Sequence, residues 1–273
     1  MKRHFLPILF AFCLFSVKAA AADNRFIVRD TSGLVSLQSL CLGLDCTVVG
    51  GLDGTIGQLF LVTAPDTIDP NLFIITLDSL AGIVDAEIDQ LLQVQQSSGT
   101  SVPSGLYDST PITYFGATVW DGYVNQPAAQ IIRVADAQST FGVNGSGIVA
   151  VIDTGIDPNH PAFANVLVQG YDFTRNTAGG SERADVQQWD TSGQPQPAQV
   201  SQQSMAVVNP YNGTTLSGSN YAAFGHGTMV AGIIHLIAPQ AQIMGLKAFN
   251  ADGSGYLSDV LRAVYYAAHN NAK

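Results

Sequence analysis

Five apolar residues in a row, Ile148 to Ile152, run into Asp153 and a Thr154–Gly155 turn in the stretch "GIVAVIDTGIDPNHPAF". An apolar run without polar alternation reads as a strand covered on both faces, and such strands belong to parallel sheets flanked by helices. The rest of 127–273 agrees. "AAQIIRVADAQSTF" reads as one amphipathic helix, "HGTMVAGIIHLI" and "LSDVLRAVYYAAHNN" as two more, and "QIMGLKAF" as a second buried strand. Strands alternating with helices predict an α/β domain. In such sheets functional groups collect just past the carboxyl ends of strands, which is where Asp153 sits. Alone, a buried aspartate there has a plain structural use, accepting amides of its own turn.

A second stretch changes the weighing. In "AAFGHGTMVAGIIHLIAP", His226 stands between Gly225 and Gly227 and opens a helix. The glycines allow backbone and substrate to come close, and the helix start holds the ring. A fixed imidazole with a buried carboxylate in reach is the base-and-orienter pair of nucleophilic acyl transfer. Asp153 would hold Nδ1–H, leaving Nε2 of His226 to take a proton.

Upstream, residues 23–94 read as a compact α+β domain. "RFIVRD" is a strand, "GLVSLQSLCLGL" a helix, "CTVVGGLDG" and "GQLFLVTAP" two strands, "NLFIITLDSL" a helix and "GIVDAEID" a closing strand. The order β-α-β-β-α-β is that of a split βαβ unit. Residues 95–126, rich in Ser, Gly, Pro and Tyr, read as a linker. The polar, glutamine-rich stretch Arg175 to Asn220 is expected to be a rim loop or an insertion. Cys41 and Cys46 either close a small disulfide loop or stand as two packed thiols, and without nearby histidines they make no zinc site.

The first 22 residues carry Lys2 and Arg3, then an apolar run from Phe5 to Val17, then small residues to Ala22. This is the layout of an export signal, so the protein is expected to be secreted or periplasmic. The run falls short of the roughly 20 residues that span a bilayer, which argues against a stable membrane anchor. A formal charge of −10, from 21 acidic against 11 basic residues, excludes the basic stripe that nucleic acid requires.

"VAVIDTGIDPNHPAF" and "GHGTMVAGII" resemble the aspartate and histidine motifs of subtilisin-like serine proteases, in that family's order. "IMGLKAFNADGSGYLSDVLRAVYYAA" is similar to the segment that follows. The resemblance implies a subtilisin-like parallel sheet, Asp153 as orienting carboxylate and His226 as general base of a secreted endopeptidase. It implies that Gly253, Ser254 and Gly255 form an edge strand pairing with substrate backbone, and that Tyr256 and Leu257 wall a pocket. Residues 23–94 would be the propeptide, acting as an intramolecular inhibitor, and protein or peptides the substrates. Calcium is a possible ligand by the same resemblance, with no carboxylates assigned to it. Asp157 and His160 are expected to cap the turn, and His235 and His269 to pack or face solvent.

The family's third motif, Gly-Thr-Ser-Met-Ala, supplies the nucleophile and does not occur between His226 and Lys273. Ser204 in "QQSMAVVNP" lacks the Gly-Thr and precedes the histidine, so it is not assigned that role. The resemblance therefore leaves the sheet incomplete at the C-terminus. Either the sequence is part of a longer protease, or the chain is a non-catalytic half-domain acting as a binding or propeptide-type inhibitory module. A metal hydrolase using Asp153, Asp157 and His160 is a further alternative.

Overall fold

The computed structural model describes residues 23–94, 104–185 and 219–273. The expected export signal and Ser204 lie outside the described residues.

The first domain folds as β1 (Asn24–Asp30), α1 (Leu34–Leu44), β2 (Thr47–Gly51), β3 (Leu59–Ala64), α2 (Pro70–Asp78) and β4 (Ile83–Ile88). Its sheet has the order β2-β3-β1-β4 with every pair antiparallel. Local chemistry sets the helix ends. Asp69 accepts the amide of Leu72 at 2.9 Å and Pro70 supplies a preset first turn, so α2 forms despite its β-branched pair Ile74–Ile75. Cys41 and Cys46 are joined by a disulfide that ties α1 to the start of β2.

The apolar triplet of β1 shows how this domain is used. Phe26 and Val28 pack with Leu37, Cys41, Phe73 and Leu77 under the two helices. Ile27 points the other way and joins Leu52 and Leu61 against Leu257 and Leu261. Both faces of the sheet are therefore covered, one by its own helices and one by the second domain.

Residues 104–126 are not an element-free connection. A hairpin of β6 (Pro111–Tyr114) and β7 (Ala117–Trp120) leads into the short helix α3 (Asp121–Val124). Val119 and Tyr123 are buried in the second domain's core. The turn residues Phe115 and Gly116 both have positive φ, 44° and 86°. Such turns ordinarily carry Asn-Gly or Asp-Gly, and a phenylalanine in that place conceals the hairpin at the level of sequence.

The single helix expected over Ala128–Phe141 is two, α4 (Pro127–Ile131) and α5 (Val134–Phe141). Arg133 between them takes a left-handed conformation, φ 56°, and its guanidinium bonds Asp136 at 2.7 Å. The β-branched Ile131–Ile132 pair ahead of it favours a break.

The α/β sheet is built from β8 (Ile148–Asp153), β9 (Leu167–Asp172), β10 (Thr177–Ala178) and β11 (Gln242–Lys247), in the order β10-β9-β11-β8. β8, β11 and β9 run parallel, while β10 adds an antiparallel edge. Helix α6 (His226–Ile237) packs on one face through Ala231 and Leu236 against Val151 and Ile243. Helix α7 (Leu257–His269) covers the other, with Ala263 against Met244 and Leu246. α7 thus lies between the two domains' sheets. Among the described residues no helix is long and apolar enough to cross a membrane.

Candidate active site

Parallel pairing aligns the carboxyl ends of three strands. Lys247 is in register with Asp153 on β8 and with Asp172 on β9. Asp153 is 7% exposed; its Oδ1 accepts the amide of Thr154 at 2.6 Å. His226 opens α6 with its ring half-buried, and Nδ1 lies 2.8 Å from Oδ1 and 2.9 Å from Oδ2 of Asp153. These two residues, 73 apart in sequence, are brought together because the end of β8 and the start of α6 lie at the same rim of the sheet. The carboxylate holds the proton on Nδ1, so the neutral ring presents a bare lone pair at Nε2. That hydrogen bond raises the His226 pKa above its usual 6.5; burial opposes the shift, and the charge of Asp153 adds to it.

Two turns carry the pair and are stitched to each other. Gly227 donates its amide to Thr154 Oγ1 at 3.1 Å, and Asp157 donates its amide to Thr228 Oγ1 at 2.8 Å. The flanking glycines serve geometry more than substrate access. Gly225 has φ 85°, which an L side chain rarely adopts. At Gly227 a Cβ would sit 2.2 Å from the carbonyl oxygen of Gly155 and 3.1 Å from Asp153 Cβ. Gly227→Ala is therefore expected to cost about 1–3 kcal/mol of stability and to push His226 away from Asp153. Chemical denaturation and turnover measured on one preparation check this; an alanine variant with wild-type stability would show that the backbone yields freely.

Beneath the turns lie groups that sequence reasoning did not single out. Lys247, fully buried, donates from Nζ to Thr154 O (2.9 Å), Phe249 O (2.5 Å) and Asp185 Oδ2 (2.8 Å), using all three hydrogens of an ammonium. Arg175 links Asp185 to Asp172. Glu182, 1% exposed, accepts the amide of Gly225 at 2.9 Å and bonds the Thr228 hydroxyl at 2.7 Å. Lys247 had a signal: it ends an apolar run as Asp153 does. Glu182 had none, since it lies in a polar stretch expected to be loop.

Asp157 bonds the Asn159 amide and pairs with Arg183, while His160 Nδ1 accepts the Ala162 amide at 3.2 Å. Both cap turns, and they do not converge with Asp153 on one point. His235 is buried against Tyr114 and Phe163, and His269 ends α7. Among the described residues no three or more His, Cys, Asp or Glu side chains are grouped to hold a metal.

The segment expected to receive substrate is already paired. β12 (Ser254–Tyr256) runs antiparallel to β5 (Leu91–Gln93), with Ser254 opposite Gln93, Gly255 opposite Leu92 and Tyr256 opposite Leu91. Val94 donates its amide to Gly253 O at 2.8 Å and Leu257 its amide to Gln90 O at 2.9 Å. Tyr256 lies under the Arg25 guanidinium, 4.0 Å from the ring centroid. The first turn of α7 has no side-chain cap of its own. Asp89 supplies one, accepting the Ser258 amide and hydroxyl, each at 2.8 Å, while pairing with Arg25.

Residues 145–273, which hold the aspartate–histidine pair and the β12 edge, match the model of the subtilase family. This segment is similar to the subtilases. Sequence relatives agree. Over 134 residues the chain is 31% identical to the thermophilic serine proteinase of Bacillus sp. (strain AK1), a match covering 49% of this chain and 26% of that protein. It is 26% identical over 181 residues to subtilisin of Bacillus sp. (strain TA39), covering 66% and 34%. Thermitase of Thermoactinomyces vulgaris is 29% identical over 140 residues, covering 47% and 36%. The chain thus spans about a quarter to a third of the length of the subtilases it matches. The crystal structure of fervidolysin from Fervidobacterium pennivorans, a keratinolytic enzyme related to subtilisin, aligns at 16% identity and TM-score 0.46 over 94% of this chain and 35% of that one. That likeness adds nothing to the sequence matches.

Proposed function

We propose that this chain carries the acid–base half of a secreted serine endopeptidase, with His226 as general base and Asp153 as its orienting carboxylate. The observation that carries the reading is the 2.8 Å contact of His226 Nδ1 with Asp153, which leaves Nε2 as proton acceptor. Nε2 takes the proton of an attacking hydroxyl and returns it to the leaving amine, while Asp153 stabilises the imidazolium between those steps. The hydroxyl itself is left to the remainder of the family's domain, since these residues span about a third of the relatives' length.

Substrates are proteins or peptides, bound by adding a strand to the β12 edge at Gly253, Ser254 and Gly255, with Tyr256 and Leu257 beside it. Residues 23–94 act as a propeptide that inhibits in cis. The pairing of β5 with β12 supports this, because a peptide could take that edge only after β5 has left it. Export follows from the leader-like first 22 residues. Calcium enters as a ligand by resemblance to the family alone, and no residue is assigned to it.

The pH profile of kcat/KM of the full-length protein tests the reading. Only the neutral ring accepts a proton, and the Asp153 contact raises the His226 pKa. The rate should therefore climb with pH through a midpoint above the reference value of about 6.5. In Asp153→Asn the hydrogen bond to a carboxylate and its charge are gone and burial remains, so the midpoint should move down while the rate falls. A profile flat between about pH 5 and 9 would exclude histidine as the base.

A further inference from the structure

We propose that Glu182 is a positioning residue for His226: its buried carboxyl group anchors the Gly225–Thr228 turn that carries the imidazole. The inference rests on the reading of His226 as the general base and assigns the base its support.

Glu182 lies on a short turn, Glu182–Asp185, within a stretch whose polar composition marks no element. A carboxyl group taken fully out of water costs several kcal/mol unless its oxygens are bonded, so an apolar side chain of similar size would fill the space at less cost. What the carboxyl group touches explains its presence. Oε2 accepts the amide of Gly225, the residue before His226, and Oε1 bonds the hydroxyl of Thr228, two residues after it. The histidine is thus bracketed by the two bonds of one side chain. Gly225 offers α6 no side-chain cap and sits in a left-handed conformation, so without Glu182 its amide would be a buried donor with no acceptor. Thr228 passes the constraint on, because its Oγ1 also accepts the amide of Asp157 from the turn that follows Asp153. Glu182 therefore holds the histidine turn against the aspartate turn.

The protonation state fits this use. Burial pushes the Glu182 pKa up to about 8, against the opposing pull of the bonds from Thr228 and Gly225. A carboxyl group raised that far holds a proton more readily than an exposed one, and both its oxygens are bonded, Oε2 accepting the Gly225 amide and Oε1 the Thr228 hydroxyl. Glutamine keeps an acceptor for the Gly225 amide and a polar group that can bond Thr228 Oγ1, whereas leucine offers neither.

The full-length protein should be compared as wild type, Glu182→Leu, Glu182→Gln and Thr228→Val. Peptide hydrolysis gives kcat and KM, and NMR of histidine-labelled protein follows the Nδ1–H proton that His226 shares with Asp153. For Glu182→Leu, kcat should fall on the order of 100-fold with KM within about twofold, since a displacement near 1 Å is enough for that loss, and the Nδ1–H signal should broaden or vanish. Glu182→Gln should restore most of both. Thr228→Val, which keeps the Gly225 bond, should lie between and serves if the leucine variant does not fold. A leucine variant that melts earlier yet keeps wild-type kcat and Nδ1–H signal would reduce Glu182 to a structural residue and overturn the proposal. Glu182→Gln no better than Glu182→Leu would also overturn it, by showing that charge and not hydrogen bonding is what matters. His226→Ala separates the two levels. If it retains activity, the reading of the base fails; if it is inactive while Glu182→Leu is unaffected, only the positioning role fails.

Discussion

His226→Ala in the full-length protein is expected to lower kcat by a factor on the order of 10⁶, and Asp153→Ala by about 10⁴, magnitudes taken from the corresponding losses in subtilisin itself. What the geometry supplies is their order and their coupling. On the proposed reading His226 moves the proton, so its loss removes the step. Asp153 acts on the ring through Nδ1 at 2.8 Å, so its loss leaves a base of wrong tautomer and orientation. The double variant should be scarcely worse than His226→Ala, because the residues act as a unit and their effects do not add. Single-turnover measurements on a peptide substrate check this, with circular dichroism to establish that each variant is folded. A His226→Ala enzyme that keeps even a tenth of wild-type turnover would end the assignment.

The second large effect concerns the contact between domains. On the proposed propeptide role of residues 23–94, Asp89→Ala in that domain, added in trans to the processed enzyme, should weaken inhibition by roughly 30- to 1,000-fold in Ki. The Asp89 side chain is fully buried and satisfies three groups at once: the Ser258 amide at the start of α7, the Ser258 hydroxyl and the Arg25 guanidinium. Alanine would remove the acceptor of the Ser258 amide and hydroxyl and leave Arg25 with its bond to Ser258 Oγ and its stack on Tyr256. Breaking a buried pair costs about 3–5 kcal/mol. Arg25 keeps 27% exposure and can be partly rehydrated, which brings the expected loss to about 2–4 kcal/mol. Asp89→Asn retains an acceptor for the Ser258 amide and should fall between. Asp85→Ala, at an exposed position of β4, should leave Ki unchanged. Equal inhibition by the wild-type and Asp89→Ala domains would show that the β5–β12 pairing holds the domains together without the cap.

Most of 23–94 was legible in the sequence because each element carries its own chemistry: the apolar period of α1, the Asp69–Pro70 start of α2, the turn residues between strands. The β8–Asp153 and Gly-His226-Gly stretches were legible for a similar reason, since each encodes a strand end or a helix start within a dozen residues. Failures came where the decisive partner is distant. The hairpin at 111–120 rests on Val119 and Tyr123 entering a core formed by α6 and β8, and its Phe115–Gly116 turn lacks the usual signal. Strand β9 is specified by its place beside β11 more than by its own pattern.

The sequence by itself determined the chemistry that could be offered at two strand and helix ends, a carboxylate and an imidazole, because such ends are set by short-range periodicity, glycine and capping. Only the tertiary structure decided that the two meet, that Glu182 and Lys247 hold their turns from below, and that β5 occupies the β12 edge. Those contacts join residues tens to well over a hundred positions apart. Each polar member is buried at a cost that is offset only by a partner the fold brings to it, and no local pattern records that partner.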